Sequence, residues 1–588
     1  MANILTSTNE RMFQIKTWLG LNESPDGDTG LKMGEASVMR NWRITREGHL
    51  QIRPGYALRH TLGTGPVRCL WEGYVAGTHV LLAACDGHLW RVEGSSPIDC
   101  GTLADGPTSI FGFAKKAYIL TGSEYYSWDG ETLETVEGYI PIITTATPPE
   151  GGGTLLEGIN KLNGKRRQRY SPDGTSTKFT LAERNITSVI SVEGTDITWT
   201  ADTAAGTVTF ASAPAKGVNS ITITYDKGTN DRAAVTAMRF AELYNGTTDN
   251  RVFLYGDNTN QTIYSDLDYD GNPSAEYFPD TNVLAAGTAN TPITGMIRHF
   301  SRLIVFKLDG AFSVQSTTLT LADESTIGAF YMTPVQRDVG NTPMGQVRLV
   351  ENNPRSLHGG AVYDWKATSS YITADERTIK RISQRIEATL ESFDLADCIT
   401  FDDSLDQEYY ILHGDEALVH NYENDTWYYY DNFPAACMER FDENLYFGTA
   451  DGKIMHLSRL YRNDNGVEID ARWESGAMDF EMDWKRKYSS NIWVSIEPES
   501  HARVLMTMKS NRKSDYTVRT VSSGLSTFSN VDFNHFSFGT NREPQVRRAR
   551  IKVKKFTFST LIFTSNSKSA TATILGVDFQ IRYTGNVK

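Results

Sequence analysis

The stretch THVLLAACDGHLWRV, residues 78–92, decides how the rest of the chain is read. Val80 to Cys85 form a continuous apolar run, Asp86-Gly87 is a two-residue turn signal, and the chain returns with Trp90 beside polar neighbours. That is a β-hairpin whose first strand is apolar on both faces, as a strand buried on both sides should be. A hairpin of this kind cannot bury itself alone. The same pattern returns at residues 116–130 (KAYILTGSEYYSWDG), 251–266 (RVFLYGDNTNQTIYSD), 302–315 (RLIVFKLDGAFSVQ), 359–375, 408–431 and 443–457. Recurrence of one strand unit along the chain is what propeller blades show, four-stranded sheets packed face to face around an axis. The expected fold is all-β, with a β-propeller of about six to eight blades as main body. A set of ordinary hairpins in one large sandwich is the alternative.

The repeat breaks after Tyr139. TTATPPEGGG, residues 144–153, has linker composition, and the short alternating strands that follow run to YDKGTND, residues 225–231. They read as a β-sandwich inserted into a blade loop. Beyond Ser458 the strands lengthen and alternate, as in RVLMTMK and ATILGVDFQIRY, which suits an antiparallel sandwich or jelly-roll module. The expected division is residues 1–143 for an N-terminal segment and first blades, 144–231 for the inserted sandwich, 232–457 for the remaining blades and 458–588 for the C-terminal sandwich. One helix is expected over residues 377–393, where Ile379, Ile382, Ile386 and Leu390 recur at steps of three and four.

A chain of 588 residues is long for one ordinary core. Its net charge of −13 argues against a protein that grips nucleic acid over its whole surface, though not against one through which DNA passes. The five cysteines (Cys69, Cys85, Cys100, Cys398 and Cys437) are odd in number and form no CxxC pair, so they are expected to be reduced core residues of a protein assembled in a cytoplasm. Neither a signal peptide nor a membrane anchor is indicated.

No catalytic constellation presents itself: GxxxxGK[ST], HExxH and GxSxG are absent, and the histidines are scattered. No catalytic residue, cofactor or metal is therefore expected. Asp266, Asp268, Asp270 and Gly271 mimic the first half of a calcium loop, but Tyr277 stands where the bidentate Glu belongs and Glu276 is one position early; a plain acidic turn is the other reading. In RRARIKVKKF, period two places Arg548, Arg550, Lys552 and Lys554 on one face, a solvated edge or a surface for an acidic partner or DNA phosphates. The run Trp427, Tyr428, Tyr429 and Tyr430 suits either sugar stacking or a core strand.

The opening segment GEASVMRNWRITREGHLQIRPGYA, residues 34–57, resembles the start of tail nozzle (tail tubular B-type) proteins of short-tailed bacteriophages and their packaged-DNA stabilization relatives. Gly34, Glu35, Met39, Asn41, Gly48, Leu50, Arg53, Pro54 and Gly55 stand at the matching places. Residues 250–279 and 295–315 resemble two of that family's blades more loosely. The resemblance implies a non-enzymatic virion protein, assembled in the host cytoplasm as a homohexameric ring below the portal and adaptor. Such a ring would close the channel on packaged DNA until ejection and adjoin tail fibre or tail spike proteins. A receptor- or carbohydrate-binding propeller is the competing class, followed by a tail-associated glycosidase, for which carboxylates from different blades could pair.

Overall fold

A computed structural model describes residues 10–24, 30–320, 326–368, 377–499, 502–512, 519–523 and 543–587. In it the strand Thr78–Cys85 is buried from Val80 onward and reverses through Asp86 (φ 50°) and Gly87 (φ 70°). It pairs antiparallel with His88–Arg91, Cys85 opposite His88. Two positive φ values in a two-residue turn match the twist of the strands they join, which is why Asp-Gly is used there. Flanking strands Val67–Val75 and Ile98–Thr102 complete a four-stranded sheet in chain order.

That unit recurs. Among the described residues, sheets of four strands in chain order also cover 109–135, 240–285, 293–336 and 348–381, and a fifth run, 399–430, forms one end of a larger sheet. A last sheet takes three strands from 437–458 and its fourth, Gly55–Thr61, from near the start of the chain. The fold is all-β with a β-propeller as main body, and among the described residues seven such strand runs follow one another in chain order.

The chain divides into two compact units. One comprises Arg68–Ser356 and Lys366–Thr378 and holds the first four blades. Here the continuous apolar runs are explained by alternation. In Lys116–Leu120, Ala117 and Ile119 pack with Val80, Leu82 and Ala84 of the preceding blade, while Tyr118 and Leu120 pack with Val252, Leu254 and Phe278 of the following one. Phe253 and Tyr255, one residue out of phase, join Met296, Leu303 and Val305 of the fourth blade. Period two thus gives the central strands of the second and third blades two apolar faces and each of these blades two neighbours. Between the second and third blades, a five-stranded and a three-stranded sheet bury Tyr170, Phe179, Val208, Phe210, Ile223 and Tyr225 in a core of their own.

The other unit comprises Met1–Val67, Leu357–Trp365 and Ile379–Lys588. The four segments read from the sequence do not coincide with this division, because the two ends of the chain pair with each other. Glu10–Ile15 lies antiparallel to Thr573–Asn586, and Glu35–Arg40 antiparallel to Ala471–Ser475. The resulting terminal sandwich has an aromatic core in which Phe480 meets Phe13, Phe556 and Phe579, and Trp473 meets Trp18 and Phe563.

The helix expected over 377–393 is corrected. Arg377–Arg381 is the outer strand of a blade, Gln384–Ile386 a 3-10 turn, and only Glu387–Ser392 is α-helical. Strand pairing in the blade supplies hydrogen bonds for the first third, overriding a local pattern that no side-chain cap supports. Ile386 and Leu390 keep the buried stripe. The part of the 359–375 hairpin at 369–375, and residues 501 and 513–518 in the basic C-terminal part, lie outside the described residues.

Candidate functional site

The opening segment builds a densely connected polar site among the described residues of its unit. Trp42–Ile44 and Leu50–Ile52 form a short hairpin whose apolar ends are buried and whose centre pairs Arg43 with Gln51. Both Nε and Nη2 of Arg43 donate to Gln51 Oε1 at 3.3 Å, and Nη1 lies 3.7 Å from Glu408 Oε1. Glu408 is itself buried, and each of its oxygens accepts a phenol: Tyr428 on Oε1 and Tyr410 on Oε2, both at 2.6 Å. Burial pushes the Glu408 carboxyl above its usual range, with Arg43 and the two phenols pulling it back. Burial lowers the Arg43 guanidinium, and Glu408 and the nearby tyrosines outweigh it, so its net shift is upward.

The Arg-Pro-Gly corner adds a second centre. Arg53 has no exposed side-chain surface and grips Asp464 with two bonds, Nη1 to Oδ1 at 2.8 Å and Nη2 to Oδ2 at 2.6 Å. Its Nε donates to Asn41 Oδ1 at 2.9 Å, and its remaining N–H groups reach the carbonyls of Pro54 and Asp431 at 3.0 Å. All five donors of the guanidinium fork are therefore used. Its cation lies 5.5 Å from the Tyr430 ring centre and 5.8 Å from that of Phe433. Asn41, held at φ 58°, also accepts from Asp431 N at 3.1 Å and donates to Asp470 O at 3.0 Å. Gly55 is required by proximity, since a Cβ there would sit 2.2 Å from Asn463 O. Gly34 is required twice, by φ +100° and by Thr17 O at 2.1 Å from a Cβ.

Beside these centres lies a polar cavity of about 310 Å³ lined by Arg43, Asp406, Glu408, Tyr410, Arg440 and Arg459 among others. Several of its charges are paired: Arg440 holds Asp403 through Nε at 2.7 Å and Asp406 at 3.0 Å, and Arg459 lies 3.6 Å from Asp406. The chemistry this arrangement supports is retention of buried charge. Asp403, Asp406 and Glu408 are engaged by guanidinium or phenol groups, and together they tie the chain's start to its last blades.

Other residues read from the sequence fall elsewhere. Trp427, Tyr428 and Tyr430 are fully buried, and Tyr429 is half-buried and bonded to Glu416, so this run is a core strand. Asp268 closes a turn by accepting Asn272 N at 2.8 Å, while Asp266 pairs with Arg251 at 3.0 Å and Asp270 is exposed. Among the described residues no group of three His, Cys, Asp or Glu side chains is placed to hold a metal ion. The basic run forms two strands, Gln545–Ala549 and Val553–Phe556, with Arg548, Arg550, Lys552 and Lys554 exposed and Ala549, Ile551 and Val553 buried. Sequence reasoning passed over Arg43, Glu408, Asp431 and Asp464. The available signal was a charged residue inside an otherwise apolar strand pattern, Arg43 in NWRI and Glu408 in EYYIL.

Fold and site together define a class, an all-β propeller scaffold whose opening segment is locked to its last blades by buried ion pairs. No protein-family model matches the chain, and no curated protein does. Among solved structures it is similar to the computationally designed Ika8 protein (8% identity, 68% of this chain and 99% of that one, TM-score 0.30) and to YCF48 bound to D1 peptide (8%, 77% and 96%, TM-score 0.27). It is also similar to an exo-β-1,3-galactanase from Phanerochaete chrysosporium (10%, 82% and 96%, TM-score 0.18). The fold rests on the sheet order described above.

Proposed function

We propose that this chain is a structural virion protein of a bacteriophage tail, assembling as a ring below the portal and adaptor that closes the DNA channel until ejection. One observation carries the reading. The residues through which the opening segment resembles tail nozzle proteins are spent on architecture: Asn41 and Arg53 on the buried clasp, Gly34 and Gly55 on close backbone approach. A segment whose distinctive residues tie the chain's start to its last blades is a fold signature, and it supports descent from the family it resembles. Its distinctive side chains are not displayed to a small molecule, in keeping with a non-enzymatic role. The carbohydrate-binding alternative loses its named aromatics, because Trp427, Tyr428 and Tyr430 are buried.

Electron cryomicroscopy of virions containing this chain, with the tail axis reconstructed at alternative symmetries, tests the proposal. The expected result is a ring of propellers around a narrowing axial channel. Copies confined to fibres or to the tail periphery, with the channel built from other chains, would replace it with the receptor-binding reading.

A further inference from the structure

We propose that the outer edge of the terminal sandwich, residues 547–555, binds the phosphate backbone of nucleic acid without regard to sequence. Six of these nine residues are Lys or Arg, and from residue 500 onward fifteen Lys and Arg stand against four Asp and Glu, in a chain whose total charge is −13. The side chains of Arg547, Arg548, Arg550, Lys552, Lys554 and Lys555 are all exposed, and Gln545–Ala549 is the terminal strand of its sheet.

Many cations elsewhere in the protein are paired. Lys116, Lys161, Arg251 and Arg440 each meet a carboxylate at 2.7–3.1 Å. Among the described residues the six cations of 547–555 make no ion pair. Two guanidinium heads are nevertheless fixed. Arg548 donates twice to Asn491 Oδ1, at 2.9 and 2.7 Å, with its cation 5.9 Å from the Trp493 ring centre. Arg547 donates through Nε to Ser522 O at 3.0 Å, and Arg519 reaches over the edge to Arg550 O at 3.1 Å. Each head keeps further N–H groups for an incoming anion.

A few charges would suffice to discourage edge-to-edge pairing. An unneutralised row in an acidic chain calls for a partner that is anionic along its whole length. Alternate residues of a strand lie about 6.7 Å apart, and duplex DNA presents one negative charge per ~1.7 Å of axis with no cations interspersed. Acidic protein surfaces mix both signs, and fork-shaped guanidinium groups match phosphate oxygens.

The test is fluorescence anisotropy of the full-length protein with a labelled mixed-sequence DNA duplex, titrated with salt, with polyglutamate of equal charge as competitor. Neutralising about five phosphates predicts affinity falling by roughly 500-fold between ~50 and ~200 mM salt. The quadruple variant Arg548→Ser, Arg550→Ser, Lys552→Ser, Lys554→Ser should lower the salt slope by roughly 3.6. A control removing the exposed Lys115, Lys178 and Lys216 should leave it unchanged. Photocross-linking of DNA to the wild-type protein should label residues 545–556, a readout independent of whether the variant folds. Absence of salt-dependent binding, unchanged binding by the quadruple variant, cross-links mapping elsewhere, or polyglutamate binding as tightly as the duplex would each overturn the proposal. The outcome is separable from the tail reading, since DNA binding by the isolated protein does not locate it in a virion.

Discussion

Arg53 shows how one residue can hold distant parts of a chain. Its five donors reach Asn41, Pro54, Asp431 and Asp464, and Arg53→Met would strand the Asp464 carboxylate in a buried site. Loss of one partner from a buried pair costs about 3–5 kcal/mol, so chemical denaturation should show a midpoint lowered accordingly, with Arg53→Lys intermediate because a lysine cannot reproduce the fork. Glu242 supplies a pH signature. Burial raises its carboxyl to about 7, against the N–H of Arg298, which donates to it at 3.1 Å, and against the charge of Arg348. The unfolded group titrates near 4.5, so between about pH 4.5 and 7 the folded chain holds the extra proton and stability falls as pH rises through that window. Melting temperature measured from pH 5 to 8 should therefore decline in the wild type more than in Glu242→Gln. Equal slopes would show that Glu242 titrates normally.

Elements carry the non-local part of the fold. Gly55–Thr61 supplies the fourth strand of a blade otherwise built from 437–458, nearly four hundred residues away. Its anchor is Tyr56, buried edge-on against Phe447 at 5.0 Å, with its hydroxyl donating to Asn432 O at 3.0 Å. Tyr56→Ala should cost about 3–5 kcal/mol, the range for large aromatic truncations, while Tyr56→Phe should lose only about 1 kcal/mol of hydrogen bonding; equilibrium unfolding separates the two. A second anchor joins the inserted strands to their host blades. Fully buried Asn160 donates to the carbonyls of Tyr139 and Glu276, each at 2.8 Å, and accepts from Phe278 N at 3.1 Å. Asn160→Ala would take this acceptor from the N–H groups of Phe278 and Leu162, and hydrogen exchange at Phe278 should rise sharply. These contacts were not legible in the sequence. Asn160 sits in the undistinguished GINKLNG, and Tyr56 beside an Arg-Pro-Gly corner whose partners are all distant in the chain.

At the scale of the whole molecule, charge is segregated rather than mixed. An evenly mixed protein of net charge −13 would pass through a cation exchanger at pH 7. This chain should be retained at low salt by its C-terminal cations, and the quadruple edge variant should elute early. Elution of both proteins in the flow-through would show that the exposed row is neutralised in the intact molecule. The number of such strand runs was legible only as a range of about six to eight, since the last takes a strand from the chain's start and the outer strand of another, Arg377–Arg381, reads locally as a helix.

What the sequence by itself determined is everything set by neighbours along the chain. The Asp86-Gly87 turn, the two-faced strands such as Lys116–Leu120, the inserted sandwich and the alternation of Arg548 to Lys554 follow from periods of two and from turn chemistry. What only the tertiary structure decided is which ends meet. The strand fate of Arg377–Arg381 is set by its place at the edge of a blade sheet, and the pairing of Glu10–Ile15 with Thr573–Asn586 and the burial of Arg43, Glu408, Arg53 and Asp464 depend on partners hundreds of residues apart. A buried charge is tolerated only where such a partner arrives, and local pattern carries no record of that arrival.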